Sequence, residues 1–315
     1  MDFRYTEEQL GFGKALQDLL ANSDTPGVAR KWADGDKAAG ISLWERLAEQ
    51  GVSALIVPEE SGGMGATNTD LVVAFEVLGN QLVVGPWIEA AAYLPRALQG
   101  ADLEALAEGG IATVAVNPIT PFALDADVSS SVFAVSHNSI SKVTAGTRHE
   151  SVDITRHLFE VPGLAEPGTL LDAENTAALA CAAQLLGAGE RLLNDTVAYV
   201  SQRKQYGRIV GSYQALKHQL ADVRIALDFA RPLIQGASLT LDTDTGSRDV
   251  SAAKLAANQA AYLASRVGLQ LHGAIGYTRE FDLGLWINRV RALTTAWGDS
   301  DYHRARVATA LLEAS

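Results

Sequence analysis

The stretch "RKQYGRIVGSYQALKHQLADVR" gathers Arg203, Lys204, Arg208, Lys217 and Arg224 within a chain whose formal net charge is −12. A guanidinium offers a planar fork of donors that matches a phosphate. Gly207 and Gly211 let the backbone approach a ligand closely. A helix beginning beyond Ser212, which can cap it, adds N–H groups that favour an anion. The chemistry of this pattern is the holding of a diphosphate. A second reading needs no ligand: Arg203 and Lys204 end one helix, where cations face the macrodipole, and the glycines separate it from the next. The residues alone leave both readings open.

The other reactive types carry less. The six histidines, at 137, 149, 157, 218, 272 and 303, show no metal-ligand spacing, so no metal is expected. The glycines of "LQLHGAIGYTREF" neither follow a strand nor open a helix, as a dinucleotide fingerprint requires. Cys181, in the apolar run "TAALACAAQLLG", permits no intrachain disulfide, and its surroundings predict core packing. No Ser-His-Asp or Cys-His constellation is present in the pattern.

The elements that must position these residues follow from periodicity. The chain has 315 residues, 48% of them hydrophobic and 20% charged, the composition of a globular protein with two or more domains. Its acidic balance argues against non-specific nucleic-acid binding. "MDFRYTEEQL" lacks the pattern of a signal peptide and the apolar runs are too short for a membrane span, which gives the cytoplasm as the expected location.

Residues 1–109 read as helical. Leu10, Phe12, Leu16, Leu19 and Leu20 share a face, Gly51 ends the helix "ISLWERLAEQ", Thr67 or Asn68 caps the next one, and Gly79 stops it. Between 110 and 168 the runs "IATVAV", "SSVFAVSH", "SISKVTAG" and "HLFEV" are short and β-branched, with room for about five or six strands. Residues 169–315 return to long amphipathic patterns, ending in "DYHRARVATALLEA", that predict a four-helix bundle. The fold class is therefore mainly α with a small β domain.

Four blocks, in order along the chain, resemble the acyl-CoA dehydrogenase family of flavoproteins. They are "LWERLAEQGVSALIVPEESGGMGATNTDLVVAFEVLG", "SVDITRHLFEV" (similar to the last strand region of the middle β domain), "RKQYGRIVGSYQALKHQLADV" and "LQLHGAIGYTREF". The resemblance spans nearly the whole chain and implies an N-terminal helical domain, a middle β domain and a C-terminal bundle. It further implies FAD bound across a subunit interface. Arg203, Gln205 and Tyr206 would meet the ADP half, and Gln270, Gly273 and Ala274 match the loop that closes over the same half. His272 lies in that loop, where two readings stand: a contact with the flavin, or a histidine simply held by hydrogen bonds, the commoner role of a loop histidine.

The chain also departs from the family. The family's base is in many members a Glu within a Tyr-Glu-Gly-Thr segment; the matching segment here is "TTAWGDSDYHR", with Trp297 at the Glu position. Indole cannot accept a proton. Asp299 falls where a Thr or Ser commonly touches flavin. A minority of members carry the Glu early in the bundle, where this chain has Ala177, with Glu174 three positions earlier. Both Asp299 and Glu174 are weak candidates for a relocated base. The Thr-Glu-Pro-x-x-Gly-Ser-Asp stretch that holds the flavin ring is missing, and "AVNPITPFALDADVSS" stands in its place.

A chain with the ADP half but neither ring wall nor base resembles the shorter subunit of actinobacterial heterotetramers with two copies of each of two homologous chains. That resemblance implies a longer partner subunit that supplies the base, an electron-transfer acceptor and a bulky, steroid-derived acyl-CoA. The alternatives are a self-sufficient dehydrogenase using Glu174 or Asp299, and a flavin-free scaffold.

Overall fold

The computed structural model describes residues 2–164, 166–205, 207–278 and 281–313, and at 277 the backbone alone. The N-terminal part comprises α1 (Glu7–Ala21), α2 (Thr25–Ala33), α3 (Ala38–Glu49), α4 (Asn68–Asn80) and α5 (Ala101–Ala107). Thr6 opens α1 with a capping box: its hydroxyl accepts the Gln9 N–H while the Gln9 side chain accepts the Thr6 N–H. Thr67 and Asp70 repeat the device at α4, so Thr67 is the cap. Gly51, at φ 86, ends α3 as C′ residue.

Two expectations from this part change. Leu10 is exposed, and α1 buries Gly13, Leu16 and Leu20 instead, because the face toward α4 is narrower than the apolar stripe. Gly79 lies inside α4 rather than stopping it. A Cβ there would stand 1.9 Å from the Gln184 carbonyl oxygen, and one at Gly187 would stand 1.9 Å from that of Glu76. The two glycines let α4 cross the following long helix with backbones nearly touching.

Among the described residues, six strands occupy the middle of the chain, in two three-stranded sheets. One has the order β1 (Ala112–Val116), β3 (Ser131–Ser136), β4 (Ser139–Val143), with β1 and β3 parallel and β4 antiparallel to β3. The other has the antiparallel order β2 (Ala123–Leu124), β6 (Leu158–Phe159), β5 (Arg148–His149). Within "SVDITRHLFEV" only Leu158 and Phe159 are strand; the preceding loop is docked by a buried ion pair. Arg289 donates to Asp153 (2.5 Å), to the Thr155 hydroxyl (2.8 Å) and to the Val83 carbonyl (2.9 Å). Burial alone would raise the Asp153 carboxyl, but the Arg289 charge and hydrogen bond, with those donated by the Thr155 hydroxyl and N–H, hold it below its ordinary value.

The C-terminal part contains α6 (Leu171–Gln202), α7 (Gln214–Thr240), α8 (Gly246–His272), α9 (Leu283–Leu293) and α10 (Ser300–Glu313). The four expected helices are α6, α7, α8 and α10; α9 is an additional short one. Alanine and glycine line α6 because it is the central helix: Ala173 through Gly189 are all buried. Cys181 is among them, its Sγ directed at the Leu293 and Ala296 carbonyls. Among the described residues no helix is long and apolar enough to cross a membrane.

Candidate functional site

The basic stretch divides in the fold. Arg224 is taken by structure: it makes a two-pronged contact to Glu190 at 2.6 Å, and Arg231 bridges Glu190 to Glu76, tying α7 to α6 and α4. Arg203, by contrast, is the C-cap of α6 and is exposed. It leads into a small hairpin, β7 (Lys204–Gln205) and β8 (Arg208–Ile209), whose turn contains Gly207 at φ 76. Lys204, Gln205 and Arg208 are exposed on it. Tyr206 lies outside the described residues. Ser212 does not cap α7; its hydroxyl turns back to the Ile209 carbonyl, and the α7 start has no side-chain cap. The Arg208 guanidinium lies over the ring of Tyr213, the residue before α7, 5.5 Å from its centroid, so a cation stands beside an uncapped helix N-terminus, an arrangement that suits an anion.

The second segment comes to the same place. Val200, Val210 and Leu271 form a small apolar cluster that joins the hairpin to the end of α8. Gln270, Gly273 and Ala274 are exposed there. Gly273 closes α8 at φ 64, ψ −140, a conformation open to glycine, and a Cβ on it would meet nothing within 4 Å. Beside this turn a cleft of about 530 Å³ is lined by Arg30, Leu269, Gly276, Thr278, Phe281 and Asn288. His272 does not face outward. It is 2% exposed, its Nδ1–H donates to the Gly268 carbonyl, and its Nε2 has no partner. Burial lowers its pKa, so the ring is neutral.

Trp297 is 1% exposed, at φ 56, and its ring stacks on Tyr93. Tyr93 belongs to a single π-helical turn, Glu89–Tyr93. Glu89 is buried too, and desolvation lifts its carboxyl above the ordinary range against the opposing charge of Arg156. The left-handed backbone at Trp297 is held from behind. His303 Nε2–H donates to the Trp297 carbonyl (2.9 Å), and the buried Lys254 ammonium donates to the carbonyls of Gly298 (3.2 Å) and Leu293 (3.1 Å) and to Asn258.

Both remaining carboxylates have structural partners. Asp299 is the N-cap of α10, accepting the N–H groups of Asp301 and Tyr302. Glu174 is buried and its carboxylate accepts the Leu170 N–H at the start of α6. It lies near Tyr93, whose phenol it helps to raise, after burial, to beyond the ordinary range.

A grouping that spacing could not show lies elsewhere. Asp125, Asp127 and His157 bring ligand-type atoms within 4.8 Å of one another. The resident cation is Lys37, whose Nζ contacts His157 Nδ1 and lies 4.0 and 3.8 Å from the two carboxylates, over the Trp32 ring. Residues so distant in sequence give no motif.

Comparison with known proteins decides the family. The acyl-CoA dehydrogenase N-terminal domain model matches residues 6–97 and the C-terminal domain model residues 171–312. The chain is 33% identical over 298 residues to acyl-CoA dehydrogenase IpdE2 of Mycobacterium tuberculosis, covering 90% of this chain and 91% of that one. The chain belongs to the acyl-CoA dehydrogenase family. Its fold is similar to a chain of the ChsE4–ChsE5 complex from M. tuberculosis (TM-score 0.84, 21% identity, 99% of each chain). It is also similar to the Tcur3481–Tcur3483 steroid acyl-CoA dehydrogenase (TM-score 0.83, 18% identity, 98% of each chain).

Acyl-CoA dehydrogenases are oxidoreductases acting on CH–CH bonds, and FAD is the cofactor. The residues present fit half of it. Arg203, the hairpin cations and the open Gly273 turn offer donors and room for a diphosphate. At the position that resembles the family's Glu, the buried Trp297 indole accepts no proton.

Proposed function

We propose that this chain is the subunit of a heteromeric acyl-CoA dehydrogenase that supplies the ADP half of an interfacial FAD site, while a longer homologous partner supplies the ring wall and the base. The observation that carries this reading is the contrast between its two ends: an exposed cationic turn at Arg203 and an occluded aromatic stack at Trp297. When bound, FAD supplies the acceptor for the hydride that leaves the acyl β-carbon.

The chain's own residues bind and orient. Arg203 forks onto the diphosphate, Gln205, Tyr206 and Gln270 meet the rest of the ADP half, and the backbone at Gly273 and Ala274 approaches it closely. Trp297 keeps substrate out of this chain, so proton abstraction belongs to the partner. We propose the division 1–109, 110–168 and 169–315 for its domains. Similarity to a chain of a two-protein complex and to a steroid acyl-CoA dehydrogenase supports a heteromer acting on a bulky, steroid-derived acyl-CoA, and similarity to an electron-transferring flavoprotein structure supports an electron-transfer protein as acceptor. Glu174 and Asp299 are retained by their helix-start hydrogen bonds, which argues against the self-sufficient alternative.

The test is Arg203→Ala in the co-purified complex. It should lower flavin occupancy at limiting FAD. Unchanged occupancy and activity would remove Arg203 from the site, and with it the assignment.

A further inference from the structure

The two segments assigned to the ADP half are 67 positions apart, counted from Arg203 to Gln270, and beside the apolar cluster of Val200, Val210 and Leu271 a polar link also connects them. Tyr199, in the last turn of α6, lays its ring on the His272 imidazole with 4.2 Å between centroids and 20° between planes. Phe281 lies against His272 as well, at 5.2 Å. His272 is fixed by its own hydrogen bond to Gly268, so the Tyr199 ring rests on an anchored surface. The Tyr199 hydroxyl in turn accepts from Arg203 Nη1 at 2.6 Å, and the guanidinium lies over the same ring, 5.5 Å from its centroid.

An exposed arginine samples many rotamers, and a ligand that needs one of them works against that side-chain entropy. A guanidinium already tethered through one N–H has lost part of that freedom before the ligand arrives. Its other N–H donors stay available, which is the condition for preorganised binding.

We propose that Tyr199 is the positioning residue for Arg203: clamped on His272, it holds the guanidinium in the orientation that receives a diphosphate. The inference rests on the reading of the Arg203 turn as an ADP half-site. It adds a residue that lies outside the family-like blocks and couples the end of α6 to the end of α8.

The experiment titrates ADP and, separately, adenosine into the full chain as wild type, Arg203→Ala and Tyr199→Phe. Phenylalanine keeps the stack on His272 and removes only the hydroxyl, with its bond from Arg203 at 2.6 Å and its longer one to the His272 carbonyl at 3.5 Å. Loss of one charge-assisted hydrogen bond should weaken ADP about threefold to tenfold, with the melting temperature and adenosine binding unchanged. Equal ADP affinity for Tyr199→Phe and wild type, with binding lost in Arg203→Ala, would overturn the role of Tyr199 and leave the half-site standing. Weakening of adenosine in parallel with ADP would make Tyr199 a structural residue and likewise overturn the proposal. No ADP binding by the wild type, or full binding by Arg203→Ala, would overturn the half-site and this inference together.

Discussion

The ring of Trp297 lies on that of Tyr93, 5.0 Å between centroids and 28° between planes, at the position that the family resemblance matches to a glutamate. The relationship is built from several directions. A π-helical turn presents Tyr93, a left-handed backbone presents Trp297, and Lys254 and His303 fasten the carbonyls on either side of Gly298 Cα.

Trp297→Ala should therefore destabilise the chain by about 3–5 kcal/mol, the cost of emptying a large buried aromatic site. Urea denaturation measures it. Added indole should restore part of the loss by filling the cavity. A loss below about 1 kcal/mol would mean that the stack is not part of the core.

Acid should loosen the same region. Burial, then the charge of Lys254, pushes the His303 imidazole down to about 3 from an ordinary 6.5. The folded chain keeps the ring neutral while the unfolded chain takes up a proton. The stabilisation is complete above pH 6.5 and is lost as pH falls toward 3. The limiting slope is about 1.4 kcal/mol per pH unit. His303→Gln should show a flatter stability profile between pH 6 and 4, approximate limits set by the same linkage; parallel profiles would remove His303 as the source.

Asp299→Asn and Glu174→Gln separate a base from a cap. Both amides keep an acceptor oxygen for the N–H groups that Asp299 and Glu174 now hold. Turnover of the co-purified complex should stay within about twofold, whereas loss of a general base costs about a hundredfold or more. A loss of that size in either variant would transfer the base to this chain.

The buried Asp153–Arg289 pair gives a fourth prediction. Arg289→Met leaves the Asp153 carboxylate, 1% exposed, without its counter-charge. Removing one partner of such a pair costs about 3–5 kcal/mol, read as a lowered denaturation midpoint. Replacing both partners with apolar residues should recover much of it.

The regular parts of this chain were legible because their signals are local. Thr67 with Asp70, Gly51 after α3 and the change from helical to alternating period near residue 110 each lie within a few residues of what they specify. The cationic turn was legible as a candidate for the same reason. Misread features depend on contacts distant in sequence. Gly79 looks like a stop but serves a crossing with Gly187, and Ser212 looks like a cap but bonds backward to Ile209. Asp299 reads as a candidate base but caps α10, and Lys37 with Asp125, Asp127 and His157 has no sequence signature. Trp297 was visible as a missing base; its stacking on Tyr93 was not.

The most direct measurement of the central claim is the flavin-to-protein ratio of this chain purified alone with FAD in excess, beside the same chain co-expressed with a longer homologous partner. Once free FAD is removed, the account predicts a ratio near zero for the chain alone, whose half-site holds only the ADP end and exchanges it, and stoichiometric retained flavin only in the complex. A ratio near one flavin per chain in the absence of any partner would contradict it.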